Sequence, residues 1–190
     1  MLPGLGKLLP QLNLDGDRNI LRDLWNLLAG MPGGKVLFSR LIGRMAPYTG
    51  TIGARITALR PGFCQAELPD RPRVRNHLRS IHAVALVNLA ELTGNAALGY
   101  SLPDDARFIP SALNIEWVKK ARGTITATSE CPVPATSAKA EYVVPIVMTD
   151  AAGDVVARAT MRTVVGPKVG AGARTAPAAR PARVATRDLN

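Results

Sequence analysis

The stretch NHLRSIHAVALVNLAELTGNAALGY, residues 76–100, constrains the fold of this 190-residue chain more than any other. From about Ser80 to Ser101 it reads as one long helix, with Ser80 as the expected N-cap. Ala83, Val84, Ala85, Leu86, Val87, Leu89, Ala90, Leu92, Ala96, Ala97 and Leu98 cover nearly every face. A helix that is apolar all round belongs in a core. The exceptions are Asn88, Glu91 and Asn95, spaced i, i+3, i+7, which form one polar stripe. A buried carboxylate without a partner costs roughly several kcal/mol, so the stripe requires a partner, water or a chemical purpose.

The segments around this helix change period. Residues 1–15 read as a loose leader, and Asp17 is the expected cap of a first short helix, RNILRDLWNLLAG, stopped by Gly30 and Pro32. A second helix in KVLFSRLIGRMA ends at Pro47. TGTIGARITAL then alternates through Ile52, Ala54, Ile56 and Ala58 as a strand does, and FCQAEL returns after the turn RPG. Beyond the long helix, SALNIEWVKKA, TITATSEC, AEYVVPIVMTD and DVVARATMRTVV read as four more strands, the last two joined by the hairpin AAG. Pro145 has no N–H for a ladder, so its strand is expected to meet an edge or bulge there. Strands grouped around one long helix imply an α+β fold with an antiparallel sheet wrapped over that helix.

Charge divides the chain further. The whole carries +10, and residues 167–190 hold Lys168, Arg174, Arg180, Arg183 and Arg187 against Asp188 alone. That segment is rich in Gly, Ala, Pro and Arg and reads as a disordered basic tail. The expected organisation is a leader and helix over 1–35, a domain over 36–166 and the tail over 167–190. A basic surface suits anionic partners, among them the phosphates of a coenzyme A thioester. Specific nucleic-acid recognition is not indicated, because aromatics are 4% of the chain and no recognition helix is evident. Cys64 and Cys131 lack metal-ligand spacing and read as packing residues in a reducing, cytoplasmic setting. No signal-peptide core, membrane span, zinc spacing or phosphate loop is evident.

His82 and Glu91 lie nine positions apart, a half-integral number of turns, so they point to opposite faces separated by about 13 Å along the axis. They cannot share a site within one helix. Cooperation would need groups from elsewhere, most simply a second copy related by a two-fold axis, which would create two equivalent sites. The helix N-terminus would favour an anion or a polarised carbonyl oxygen. A carboxylate opposite it suits acyl hydrolysis, one group activating water or attacking and the other holding the oxyanion. Singly, each residue has a plainer reading: His82 as a first-turn residue, Asn76 as a turn former, Asn88 and Asn95 as interface hydrogen-bonders, Glu91 on an exposed strip.

Together, Asn76, His82 and Glu91 in NHLRSIHAVALVNLAE resemble the hotdog-fold acyl-CoA thioesterases, in particular the phenylacetate-degradation (PaaI-like) branch and its uncharacterised relatives. That branch shows an asparagine, a loop, a His-Gly-Gly element opening the long helix, and an acidic residue nine positions after the histidine. The resemblance covers roughly residues 36–166. It implies a hotdog fold with extra N-terminal helices here, and a homodimer or dimer of dimers with active sites between subunits. It also implies an acyl-CoA substrate and no cofactor beyond the coenzyme A of that substrate. Carried over, Glu91 is general base or nucleophile, with His82 and Asn76 completing the catalytic set and Asn76 positioning water or carbonyl. The amides near Ala83 and Val84 form the oxyanion site, and Asn88 and Asn95 line the substrate. The chain departs from the family at His82-Ala83-Val84, where the family has glycines that let substrate approach the backbone.

Arg73, Arg75 and Arg79, at the entrance to the helix, are candidates for the coenzyme A phosphates, a solvated loop being the plainer reading. KKAR at 119–122 reads as a solvated strand end. Two other functions remain open: a non-catalytic acyl-thioester or lipid-binding protein with hydrolysis closed down by Val84, and a basic interaction protein working through its tail.

Overall fold

A computed structural model describes residues 18–168 of the chain. The expected leader over 1–15, the proposed cap Asp17 and all but the first two residues of the expected tail lie outside the described residues. Pro167 and Lys168, read above as the start of the tail, belong to the folded body: Pro167 ends the last strand, and the buried Lys168 donates through Nζ to the Arg18 carbonyl (3.1 Å).

Helix α1 spans Ile20–Leu28, and its N-cap is Asn19 rather than Asp17, the Asn19 side chain accepting from the Arg22 amide. Helix α2 follows over Gly34–Met45 and a one-turn helix α3 over Pro47–Gly50. Strands β1 (Arg55–Arg60) and β2 (Phe63–Leu68), the central helix α4 (Ala83–Ser101), and strands β3 (Ala106–Trp117), β4 (Ile125–Glu130), β5 (Ala140–Thr149) and β6 (Val155–Pro167) complete the chain. The six strands form one antiparallel sheet in the order β1-β2-β4-β5-β6-β3. This sheet wraps α4, giving the hotdog arrangement expected from the sequence.

The first strand is shorter than its alternation suggests. Pro47 at a helix N-terminus favours a helical turn over residues 47–50, and Gly53 at φ 64° breaks the chain before β1 begins at Arg55. A register shift between Ile56 and Ala58 then turns Ile56 and Leu59, not Ile56 and Ala58, into the core. Pro145 sits where β5 has just run past its neighbour, the last β4–β5 pair being Ser129–Ile146. Its carbonyl accepts from Ser129 Oγ (2.8 Å), so the missing N–H falls at a local edge.

The core lies between α4 and the concave face of the sheet. Leu89, Ala90, Ala97 and Leu98 of the helix are fully buried with Ile125, Ala127, Val144, Met148 and Met161 of the strands. Gly94 has no side chain because a Cβ there would lie 2.9 Å from the Met161 methyl. The buried cysteine Cys64 is a packing residue, as expected; burial pushes its thiol far up, and Cys131 is pushed up to about 11 by the same cause. Among the described residues no helix is long and apolar enough to cross a membrane.

Candidate functional site

The start of α4 is built differently from the expectation. The N-cap is His82, at φ −65° and ψ 138°, and its Nδ1 accepts the Val84 amide at 3.1 Å. Ser80 stands two residues earlier and is occupied elsewhere: its amide and hydroxyl both donate to Asn76 Oδ1 (3.2 and 3.1 Å). The same oxygen accepts the Leu78 amide at 2.9 Å. Asn76 thus organises the loop that delivers the chain to the helix, while Arg79 takes φ 56° to complete it. A histidine ring displaces the serine hydroxyl as cap because Ile81 is pulled into the core and its amide is held by the Ala121 carbonyl.

This cap changes what the helix opening can offer. Of the two amides named from the sequence, Val84 N–H is occupied by His82, whereas Ala83 N–H has no acceptor among the described residues. The Val84 side chain is 50% exposed and stands at the mouth of the helix. His82 is exposed.

About two and a half turns further along, Glu91 is half-buried and has neither ion pair nor hydrogen bond among the described residues. Along its stripe Glu91 and Asn95 are half-buried and Asn88 is buried. Asn88 is buried and donates through Nδ2 to the Tyr48 carbonyl of α3 at 3.1 Å, yet its Oδ1 has no donor. Asn95 Oδ1 is buried and equally without a donor. Buried acceptors are satisfied in the large majority of cases, and these two oxygens, on either side of Glu91 along the helix, have no donor among the described residues. Asn76, His82 and Glu91 make no hydrogen bond with one another: the loop uses Asn76, the cap uses His82, and Glu91 has no partner among the described residues.

The arginines at the entrance part company. Arg75 donates through Nε to Asp70 Oδ1 at 2.6 Å, and the Asp70 carboxylate also accepts the Gly123 amide at 3.0 Å. The Arg75 hydrogen bond, with help from Gly123, holds the Asp70 carboxyl below the usual carboxylate range, and Arg75 is raised in return. Arg73 instead lines a cavity of about 770 Å³ between α2, α3, β1 and the 3-10 turn Pro72–Val74. Sequence reasoning missed this cavity, which also takes in Arg40, Arg44, Arg55 and Arg71. The signal available was Arg40 and Arg44 four residues apart on one helix face.

The family profile of a domain of unknown function, DUF4442, matches residues 34–165. The chain belongs to the DUF4442 family. No curated protein matches it. Among solved structures, it is similar to a structural-genomics protein designated APC5556, with 29% identity and a TM-score of 0.68 over 78% of this chain and 99% of that one. It is similar in fold to a protein of unknown function from Pseudomonas aeruginosa described as a probable thioesterase (24% identity, TM-score 0.63, 72% of this chain and 97% of that one). A thioesterase family protein from Silicibacter pomeroyi shares the fold at 16% identity and a TM-score of 0.59, over 68% of this chain and 96% of that one. The hotdog fold of this DUF4442 protein is thus shared with thioesterase-family structures.

Proposed function

We propose that this protein hydrolyses an acyl thioester, of the acyl-CoA type, at a site completed by a second copy of the chain. The observation that carries the reading is Glu91: a half-buried carboxylate without a partner in its own chain, flanked by the orphaned oxygens of Asn88 and Asn95. Thioesterase-family relatives in fold support the reaction class. In a symmetric pair, Glu91 of one copy would face the helix opening of the other, where the Ala83 amide remains open to receive a polarised carbonyl oxygen. Edge strand β3, twelve residues long and paired on one side only, gives a second copy a row of backbone groups to meet.

Glu91 would draw a proton from the water that attacks the thioester carbonyl, or attack that carbon itself to give an anhydride that water then opens. The Ala83 amide would hold the oxygen that gains charge, and the C–S bond would break to release the thiol, which takes up the proton, and a carboxylic acid. Asn76 has committed Oδ1 to its loop, which leaves its amide nitrogen to orient water or carbonyl. His82 serves the reaction by fixing the first turn through the Val84 amide, so its contribution is positional.

A panel of acyl-CoA thioesters assayed with wild type and Glu91→Ala tests this reading. Loss of a general base is expected to lower kcat by about 10²–10⁴-fold. Hydrolysis that persists without Glu91 sinks the mechanism. A second reading, binding of acyl thioesters without hydrolysis, is favoured by the half-exposed Val84 side chain at the helix mouth and by the engaged Val84 amide. Stoichiometric acyl-CoA binding without turnover in the wild type would select it.

A further inference from the structure

The cavity lined by Arg40, Arg44, Arg55, Arg71 and Arg73 is unlike the rest of the basic surface. No carboxylate lines it, and none of these five guanidinium groups makes an ion pair or hydrogen bond among the described residues. Arg75, two residues from Arg73, is by contrast neutralised by Asp70. Arg40 and Arg44 stand one helical turn apart on α2, an arrangement of like charges that weakens an isolated helix.

The closest convergence is at Gly53. A Cβ there would lie 2.1 Å from Arg73 Nη2 and 3.2 Å from Arg71 Nη1, so the two terminal nitrogens can be no further apart than the sum of those distances. Gly53 also holds φ 64°, and any side chain at this position would fill the space the guanidinium groups use. The same cavity is lined by the apolar Val36, Ile42, Ile56 and Leu92, the last from the central helix.

Two fork-shaped cations brought together without a counter-ion among the described residues, in a cavity that also has apolar lining, are complementary to a phosphate group joined to an apolar body. We infer that this cleft binds the phosphate group of an amphiphilic ligand, with Arg71 and Arg73 gripping the phosphate, Arg40, Arg44 and Arg55 supplying the surrounding field, and the apolar lining receiving the remainder. Such a phosphate can come from a soluble nucleotide-bearing cofactor or from a lipid headgroup. The inference does not depend on hydrolysis, since Glu91 is not part of the cleft.

Calorimetric titration of the full chain with inorganic pyrophosphate, coenzyme A, and vesicles of phosphatidylglycerol or phosphatidylcholine tests it. The pair of variants is Arg71→Gln/Arg73→Gln and, as a charge-matched control, Arg107→Gln/Arg158→Gln on exposed strand positions. The expected result is saturable binding of one phosphate ligand per chain, weakened at least about tenfold in the first variant and unchanged in the control. Coenzyme A binding tighter than pyrophosphate identifies the soluble source. Phosphatidylglycerol binding that pyrophosphate displaces identifies the headgroup. Equal weakening in both variants, or binding of none of the probes, overturns the inference. The titrations read binding alone and need no turnover, so failure of the hydrolytic reading and failure of this one remain distinguishable.

Discussion

The two ends of the central helix are closed in different ways, although both halves send residues into the core. From Leu92 to Ser101 every residue except Asn95 is buried, and the C-terminal end is closed by its own chain. Asn19 donates through Nδ2 to the Gly99 and Leu102 carbonyls at 2.8 and 3.1 Å, and Ser101 Oγ donates to the Ala97 carbonyl while accepting the Gly62 amide. Tyr100 reaches Asn26 of α1. The N-terminal half keeps Val84 exposed, Val87 and Glu91 half-buried, and the Ala83 amide open. One end of a single helix is an anchor whose orphan carbonyls are satisfied; the other is left with chemistry that its own chain does not use. Substitutions in the anchor should therefore act on stability, and substitutions at the open end on function.

The largest effect is expected at Leu98, which is fully buried. Leu98→Ala removes apolar contacts and leaves a cavity that a wrapped sheet cannot easily close, costing about 2–5 kcal/mol. For a chain of this size that corresponds to a fall in Tm of roughly 5–15 °C, read by thermal unfolding. An unchanged Tm would mean that the C-terminal half is not the anchor.

Asn19→Ala comes next. It removes the N-cap of α1 and uncovers the Gly99 and Leu102 carbonyls at the end of α4, so one side chain closes two helices. The expected cost is about 1–3 kcal/mol. Amide exchange should accelerate at the end of α4 and in α1, and leave residues near Ala83 unaffected. Exchange that rises equally at both ends would break the distinction between them.

A smaller effect belongs to the loop that leads into the open end. Asp70 is held below its usual pKa by Arg75 and Gly123, so its folded value lies under its unfolded value. The contribution is then present at neutral pH and lost as pH falls through the carboxylate range, below about pH 4. Because Arg75 is exposed, solvent screens the pair and its contribution is small. Asp70→Asn should lower Tm slightly at neutral pH, where the contribution is present, and converge with wild type below about pH 4, which flattens the dependence of Tm on pH in the acid range; unfolding at a series of pH values follows this.

How much of this was legible in the sequence follows the same division. The anchor half could be read because burial repeats along a helix: Leu92, Ala96, Ala97 and Leu98 announce a core without any knowledge of their neighbours. The wrapping sheet was legible from alternation and from turns at Gly62, Gly123 and Gly153, each of which takes positive φ. The cap was not: Ser80 is the better capping residue in isolation, and it lost to His82 because the long-range bond from the Ile81 amide to the Ala121 carbonyl sets where the helix can begin. The arginine cleft was hidden for a related reason. Arg40, Arg55 and Arg71 come from three segments, and only packing of α2 on β1 brings them to one wall. The polar stripe of Asn88, Glu91 and Asn95 was visible as spacing, whereas its unsatisfied oxygens became visible only with Tyr48 in place.

The smallest expected effect on stability, and the sharpest on function, lies at Val84. The residue occupies the second position of α4 with its side chain 50% exposed, so little packing is lost on removing it. Its amide keeps the His82 acceptor whatever the side chain, and replacing valine by glycine should cost only a few tenths of a kcal/mol through helix propensity. What does change is access: without the isopropyl group a substrate carbonyl can come closer to the Ala83 amide. If the protein hydrolyses acyl thioesters, Val84→Gly should raise kcat/KM on bulky acyl chains more than on short ones, because the obstruction is steric. If the wild type only binds them, the same variant should acquire turnover that a further Glu91→Ala abolishes. A variant that folds, binds acyl-CoA and gains nothing in either assay would show that Val84 does not set the approach to the helix. The open half of α4 would then differ from the anchored half in exposure alone, without a difference in chemistry.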